Sequence, residues 1–332
     1  MKICVFGAGA IGGYLAARLG AGDHDVCIVA RKATVDAVRS RGLTLIAGAS
    51  QIHSNVRAFE TAEQAGEQDL VIVTLKATAT ASLGNGLEPL LSADTPVLFI
   101  VNGFPWWYPY GHKADSAALP NLTFLDQGGQ LIRSLGHARV LGGIAHSGNA
   151  VSEPGRVVNS TPGNNRVWIG EIDGQHTQRV QEVADILNMA DVATTVEADI
   201  RSAVWKKLMR MNIANMPICL LTESPLGVMT KNPRLFELAR GIASEGLEVA
   251  KAYGYGFEWD FDTSYSRMLQ ESAEHKSSML QDFESGRKLE IDATLIATQL
   301  FARKKKIATP HIDTVTALVI QKAVNAGLYT AQ

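Results

Sequence analysis

Strand and helix patterns alternate over residues 1–198 of this 332-residue chain, and from Asp199 onward helix follows helix. Near the start, the apolar run from Ile3 to Phe6 passes through Gly7-Ala8-Gly9-Ala10-Ile11-Gly12 into a helix-forming segment, Tyr14 to Leu19. Together these predict an α/β fold: an N-terminal Rossmann-type dinucleotide-binding domain, residues 1–198, followed by an all-helical C-terminal domain, residues 199–332. Glycine spacing alone is a weak signal; a strand before it and a helix after it make it informative. Gly7 permits the tight turn, Gly9 has no side chain to hold off a pyrophosphate, and Gly12 lets the helix pack closely on the strand. The helix N-terminus then points free N–H groups at the phosphates. Residues Gly7 to Gly12 are the expected cofactor cradle.

The composition fits a globular enzyme. Hydrophobic residues at 46% and charged residues at 19% argue against disorder, and a net charge of -2 gives no electrostatic case for nucleic acid or an anionic membrane. Cys4, Cys27 and Cys219 are far apart in apolar segments, without metal-ligand spacing, and read as buried thiols in a reducing compartment; no metal is expected. Lys2 and the apolar residues after it are not expected to be a signal peptide, because glycines interrupt the run and its removal would delete the first strand. No segment approaches the ~20 apolar residues of a membrane span. A cytoplasmic protein is expected.

Taken in order, a second strand from Asp25 to Ala30 ends at Arg31-Lys32, where an NAD site usually carries a carboxylate for the ribose 2′-hydroxyl. Two cations and no acid suit the 2′-phosphate of NADP. Thr34 to Arg41 reads as a helix. Leu43 to Ile46 and Gln51 to Phe59 alternate around Gly48-Ala49-Ser50, which predicts a hairpin-like addition to the sheet. After a short helix near Thr61 to Ala65, a strand from Asp69 to Leu75 ends at Lys76, and a helix is expected from Ala77 to Leu91. The strand from Pro96 to Val101 ends at Asn102-Gly103. Ligands of open parallel sheets bind beyond the carboxyl ends of strands, and Gly7, Arg31, Lys76 and Asn102 each stand at such an end. The aromatic segment Phe104 to Tyr110 follows, and either packs beneath a long connection or walls a substrate pocket. Strands near Ala138 to Ile144, Arg156 to Ser160 and Arg166 to Ile169, a helix near Thr177 to Asn188, and a strand from Val192 to Val196 complete the first half.

In the second half, helices are expected over Ile200 to Asn215, stopped by Pro217, and over Asn232 to Ala252, Ser264 to Glu284, Leu289 to Lys305 and Ile312 to Ala326. Their amphipathic faces either form core or pair with a second copy in a homodimer. The cleft between the halves is the expected active site. Reducing a ketone with a nicotinamide needs a proton donor at the carbonyl oxygen. Trp205-Lys206-Lys207-Leu208 offers two lysines, between which residue type alone does not choose. On one continuous helix Asn215 would lie about 80° around from Lys207, at ~100° per residue.

The ordered set Gly7 to Gly12, Arg31, Lys76, Asn102-Gly103, Trp205-x-Lys207-Leu208, Asn215, Ser278-Met279-Leu280-Gln281-Asp282 and Glu290-Ile291-Asp292 resembles the ketopantoate reductase (2-dehydropantoate 2-reductase) family over nearly the whole chain. The resemblance implies NADPH-dependent reduction of a small-molecule 2-oxo acid to a 2-hydroxy acid, ketopantoate to pantoate in pantothenate biosynthesis. It makes Lys207 the general acid and has Glu290 help close the site. It places Lys76 and Asn102 where cofactor meets substrate, and Asn215 and Ser278 on the substrate. In two places the chain departs from the family's pattern. The family has a substrate-contacting Asn four residues after the Lys, where this chain has Met211, with Asn212 one residue on and facing elsewhere on the helix. A second Asn shortly after the helix is replaced by Glu223-Ser-Pro-Leu-Gly227. With the aromatic segment, these point to a more apolar pocket and to another 2-oxo acid as the alternative substrate. The rival of another class is a silent NADP-binding sensor.

Overall fold

The computed structural model describes residues 1–81, 83–111, 118–271 and 273–330. Its strands are β1 (Lys2–Phe6), β2 (Asp25–Val29), β3 (Leu43–Ala47), β4 (Ser50–Ser54), β5 (Arg57–Phe59) and β6 (Leu70–Val73). They continue with β7 (Val97–Ile100), β8 (Val140–His146), β9 (Asn149–Glu153), β10 (Arg156–Asn159), β11 (Arg166–Glu171) and β12 (Thr194–Val196). The first six helices are α1 (Ala10–Leu19), α2 (Lys32–Arg41), α3 (Ala62–Ala65), α4 (Ala77–Thr80), α5 (Gln130–Leu135) and α6 (Gln178–Met189). Then come α7 (Ile200–Lys207), α8 (Asn215–Thr222), α9 (Val228–Lys231) and α10 (Pro233–Ala252), followed by α11 (Phe261–Glu271), α12 (Ser278–Glu284), α13 (Ala297–Lys304) and α14 (Pro310–Asn325). No helix among the described residues is long and apolar enough to cross a membrane.

The chain packs as two units. The first holds Met1–Val101, residues 106–111 and Asp126–Ala203; the second holds Asn102–Pro105, residues 118–125 and residues 204–330. In the first unit an eight-stranded sheet has the order β12-β11-β8-β7-β6-β1-β2-β5, parallel from β8 to β5, with β11 antiparallel to β8. Its central strands are apolar throughout because both faces are covered, and Ile3, Val5 and Leu70 through Val73 are fully buried.

The hairpin of β3 and β4 does not extend this sheet. It pairs with β10 and β9 in a separate four-stranded sheet of order β4-β3-β10-β9, and only β5 joins the main one. Helix α1 lies between the two sheets, and its paired glycines explain how. A Cβ on Gly12 would sit 1.9 Å from the Gly7 carbonyl oxygen and 2.3 Å from Thr74 Oγ1, while one on Gly13 would meet Val157 of β10 at 2.6 Å. One glycine admits the main sheet and the other admits the second. Sequence reading missed β9, whose side chains are largely solvent-facing, although the Pro154-Gly155 turn after it, with Gly155 at φ 78°, is a hairpin signal.

Four helices differ from expectation. The segment after Lys76 is α-helical over Ala77–Thr80 only; Gly84, at φ 53°, turns the chain, a 3-10 turn follows at Glu88–Leu90, and Ser82 lies outside the described residues. The helix expected over 200–215 ends at Lys207 and gives way to a π turn, Leu208–Asn212. Pro217 does not stop a helix; it stands in the first turn of α8, where no N–H is required. Ser264 to Glu284 is two helices, because the carbonyls of Ala273 and His275 accept from Gly227 and Leu226 and draw the chain out of helical geometry. Ser277 then caps α12. The helix expected from Leu289 begins instead with a second π turn, Asp292–Ile296.

The aromatic segment is core. Trp106, Trp107 and Tyr108 are at most 3% exposed in the first unit. Arg201, itself 2% exposed, donates to the backbone carbonyls of Tyr108, Tyr110 and Ile172 and lies over the Trp107 ring. A buried guanidinium is tolerated because backbone oxygens replace its water.

Gly12→Ala is expected to cost about 3 kcal/mol or more, because the intruding methyl meets a backbone oxygen that cannot yield without breaking the glycine turn. Thermal unfolding of the variant measures this; a melting temperature equal to that of the wild type would contradict the packing described.

Candidate active site

The glycine turn is tied down from two strands. Gly7, at φ 102°, donates its N–H to the Val29 carbonyl at 2.9 Å, and its own carbonyl accepts from Thr74 Oγ1 at 2.6 Å. Gly9 is the N-cap of α1, with no side-chain cap on the first turn, and a Cβ there would meet nothing within 4 Å. Open space over uncapped N–H groups is the environment a pyrophosphate needs, so the residues present fit a dinucleotide. Arg31 is exposed at the end of β2, as the N-cap of α2. Lys76 caps α4 just after β6, and its carbonyl accepts from Thr80 Oγ1.

In the second unit three segments meet. Gly103, at φ 73°, lies so close to the second π turn that a Cβ would come within 2.3 Å of the Ala293 carbonyl. The Phe104 N–H donates to that same carbonyl at 2.7 Å. Phe104 is fully buried, stacked on Phe301 and edge-on to Trp205, with ring centroids 4.4 and 4.9 Å apart. Trp205 also stacks with Tyr253 and Tyr255. The Trp-x-Lys-Leu block is therefore an anchor followed, two residues later, by the lysine it positions.

That lysine is Lys207, the last residue of α7. Its Nζ donates to Asn102 Oδ1 at 2.5 Å. Although the residue as a whole is only half-buried, its ammonium is enclosed enough that desolvation lowers its pKa to about 8, against the opposing pull of the Glu290 carboxylate. Glu290 is 8% exposed, its backbone carbonyl accepting from Thr294 Oγ1 at 2.6 Å. It is not held as a surface carboxylate by Arg287, whose guanidinium pairs with Asp282 at 3.0 Å. The structure thus brings Lys207, Asn102 and Glu290 together.

Ser278 stands half-buried in the first turn of α12, while its neighbours Met279 and Leu280 enter the core. Asn215 is 2% exposed and engaged within the unit: Tyr265 donates its hydroxyl to Oδ1, and Nδ2 lies 3.7 Å from Met268 Sδ. Sequence reasoning missed both π turns, one directly after Lys207 and one starting two residues after Glu290. Such turns are rare and concentrate at functional sites, and no residue pattern in a single sequence announces them.

Two family models match the chain: the one described as ketopantoate reductase PanE/ApbA over residues 3–174, and the one described as ketopantoate reductase PanE/ApbA C terminal over residues 199–323. A 2-dehydropantoate 2-reductase of Mesorhizobium japonicum is 38% identical over 331 residues, covering 99% of this chain and all of that protein. The crystal structure of 2-dehydropantoate 2-reductase from Geobacter metallireducens is 28% identical, with a TM-score of 0.81 over 97% of this chain and 100% of the other. The ternary structure of a D-mandelate dehydrogenase with NADH and anilino(oxo)acetate shares the fold at 19% identity, with a TM-score of 0.83 over 99% of this chain and 100% of the other.

Gly9→Ala separates folding from ligand binding at the turn. With open space at its Cβ, the variant is expected to unfold within about 0.5 kcal/mol of the wild type. Its methyl nevertheless enters the space a pyrophosphate would take, so dinucleotide affinity, measured by calorimetry, should fall about tenfold or more. Unaltered affinity would contradict the cradle.

Proposed function

The chain belongs to the ketopantoate reductase family, and we propose that it reduces a 2-oxo acid to a 2-hydroxy acid with NADPH, the conversion of 2-dehydropantoate to pantoate being the reaction best supported. The observation that carries this reading is the enclosed Lys207 ammonium, hydrogen-bonded to Asn102 and opposed by Glu290. As a carbonyl is reduced, negative charge develops on its oxygen, and a donor already aimed at that oxygen lowers the barrier. Bound NADPH supplies the hydride. Lys207 gives its proton to the carbonyl oxygen, Asn102 fixes the direction of the ammonium, and Glu290 keeps it charged against the cost of burial. Ser278 binds the carboxylate side of the substrate. Gly7, Ala8, Gly9, Ala10, Ile11 and Gly12 hold the pyrophosphate, and Lys76 lies toward the nicotinamide.

The aromatic residues 104 and 106–108 are packed inside their own units and lend no support to a different substrate. A silent sensor is disfavoured because it has no use for an ammonium held in a desolvated setting beside a carboxylate. The preference for NADPH rests on Arg31, exposed where the 2′-phosphate would lie, with Lys32 beside it and no carboxylate in place of either.

Three measurements test these roles. Lys207→Ala should lower kcat with a panel of 2-oxo acids about a hundredfold or more while NADPH affinity stays near normal; full activity would remove Lys207 as the acid. Because the proton donor must be charged, reduction should slow as pH rises through about 8, and oxidation of the 2-hydroxy acid, which needs neutral Lys207, should quicken over the same range. A reduction rate that rises through that range would contradict the assignment. Arg31→Ala should lower kcat/KM for NADPH about tenfold to a hundredfold and leave NADH little changed. An equal loss with both would withdraw the NADP assignment.

A further inference from the structure

The segment that carries Glu290 is held from outside its own helix. α14 ends in a glycine turn: Gly327, at φ 69°, donates its N–H to the Val324 carbonyl at 2.9 Å, and the Leu328 N–H reaches the Ala323 carbonyl at 2.8 Å. These two bonds together close a helix and reverse the chain, and they need the left-handed conformation that glycine adopts freely. The reversal lays Leu328 and Tyr329 along residues 289–292. The Leu328 carbonyl accepts from the Leu289 N–H at 3.4 Å, and the Tyr329 hydroxyl donates to Asp292 Oδ1. Tyr329 also packs against the cluster that holds Leu289, Ile291, Leu295 and Val319.

Glu290 therefore sits between two ties made by one short stretch of chain, at Leu289 before it and at Asp292 after it. Ala293, next to Asp292, is the residue whose carbonyl receives the Phe104 N–H, two residues from Asn102. Asp292 thus lies between the counter-charge of Lys207 and the backbone contact that seats its acceptor. Burial first, and then the Asp292 carboxylate, push the Tyr329 phenol well above its usual range, so it stays protonated and remains the donor. The carboxylate acting on Lys207 is that of Glu290. Of the other charged groups on the segments packed around it, Asp282 pairs with Arg287, Lys322 with Glu223, and Asp313 with Gln299. Glu245 of α10 holds His311, Arg210 lies over the Phe257 ring, and Arg303 and Lys304 of α13 are exposed.

We propose that Tyr329 is a positioning residue for the reduction: its hydroxyl, through Asp292, fixes residues 289–293 and so holds the Glu290 carboxylate and the Asn102 side chain to the Lys207 ammonium. The inference rests on Lys207 as the proton donor. A hydrogen bond to an ionised acceptor is roughly twice as strong as one between neutral groups, which suits it to pinning a backbone segment. Charge interactions weaken with distance, so a Glu290 carboxylate released from its place opposes the desolvation of Lys207 less well, and the ammonium then gives up its proton at lower pH. Tyr329 acts through Asp292 and not on the reacting atoms.

The test compares wild type, Tyr329→Phe, Asp292→Asn and Asp292→Ala, using the 2-oxo acid that the wild type reduces best. The pH profile of kcat for reduction is followed, with thermal unfolding in parallel. Tyr329→Phe keeps the ring and loses only the hydroxyl. Its descending limb, which in the wild type lies at about 8, should move down by about 0.5 to 1 pH unit. Then kcat near pH ~9 falls roughly threefold to tenfold, while kcat near pH ~6 stays within about twofold. Asp292→Asn, whose amide oxygen still accepts the hydroxyl, should keep its limb within about 0.2 pH unit of the wild type, and Asp292→Ala should reproduce the Tyr329→Phe shift. A merely structural contact would lower the melting temperature of Tyr329→Phe and leave its limb unmoved, which overturns the proposal. Should Tyr329→Phe not fold, the Asp292 pair decides: limbs that coincide in the two variants overturn it. A wild type that reduces no 2-oxo acid, or has no descending limb, removes the proposed role of Lys207 and this inference with it; a wild type with the limb and variants that leave it in place removes this inference alone.

Discussion

Everything in the second unit's site follows from the need to keep an ammonium charged where water is scarce. Desolvation pulls the Lys207 pKa down to about 8, and the nearby Glu290 carboxylate pushes it back up. Without an acceptor and a counter-charge such a group would neutralise itself, because burying an isolated cation costs far more than shifting its proton. Asn102 provides the acceptor, and it is in place because Gly103, with no Cβ, can lie against the Ala293 carbonyl. Trp205 is in place because Phe104, Phe301 and two tyrosines surround it. The packing is apolar and nonspecific in chemistry, yet it fixes the direction of one polar bond.

Two π turns flank this arrangement. Each inserts one residue more than an α-helix would hold per turn, which shifts every later side chain around the axis. After Lys207 the Ile213 N–H reaches back to the Leu208 carbonyl, one residue further than in an α-helix. The turn at Asp292–Ile296 presents the Ala293 carbonyl that receives Phe104. In the first unit a comparable constraint acts through absence of side chains. Gly12 and Gly13 let one helix touch two sheets, and the cradle at Gly9 is open because the turn before it is held by Val29 and Thr74.

Much of the fold was legible in the residues. The apolar runs of β1, β2, β6 and β7 are continuous because strands covered on both faces have no polar side to show. The long helix α10 announced itself by periodicity and by Asn232 and Pro233 at its start. Less legible were elements defined by partners far away in sequence. The β3–β4 hairpin looked like part of the main sheet because alternation identifies a half-buried strand and says nothing of which sheet it joins. The break between α11 and α12 depends on Leu226 and Gly227, some fifty residues upstream.

By itself, the sequence determined the strand–glycine–helix turn, the cations after β2, and the residue blocks that contain Lys207, Ser278 and Glu290, because each is a local pattern of residue types. Only the tertiary structure decided that the aromatic segment is core, since hydrophobic bulk is the same in a pocket wall and in an interior. It also decided that Asn215 is engaged by Tyr265, while the Nδ2 of Asn212 has no hydrogen-bond partner among the described residues. The register of a helix past a π turn is set by backbone bonding and surrounding packing, and those involve atoms that a linear pattern of side chains does not contain.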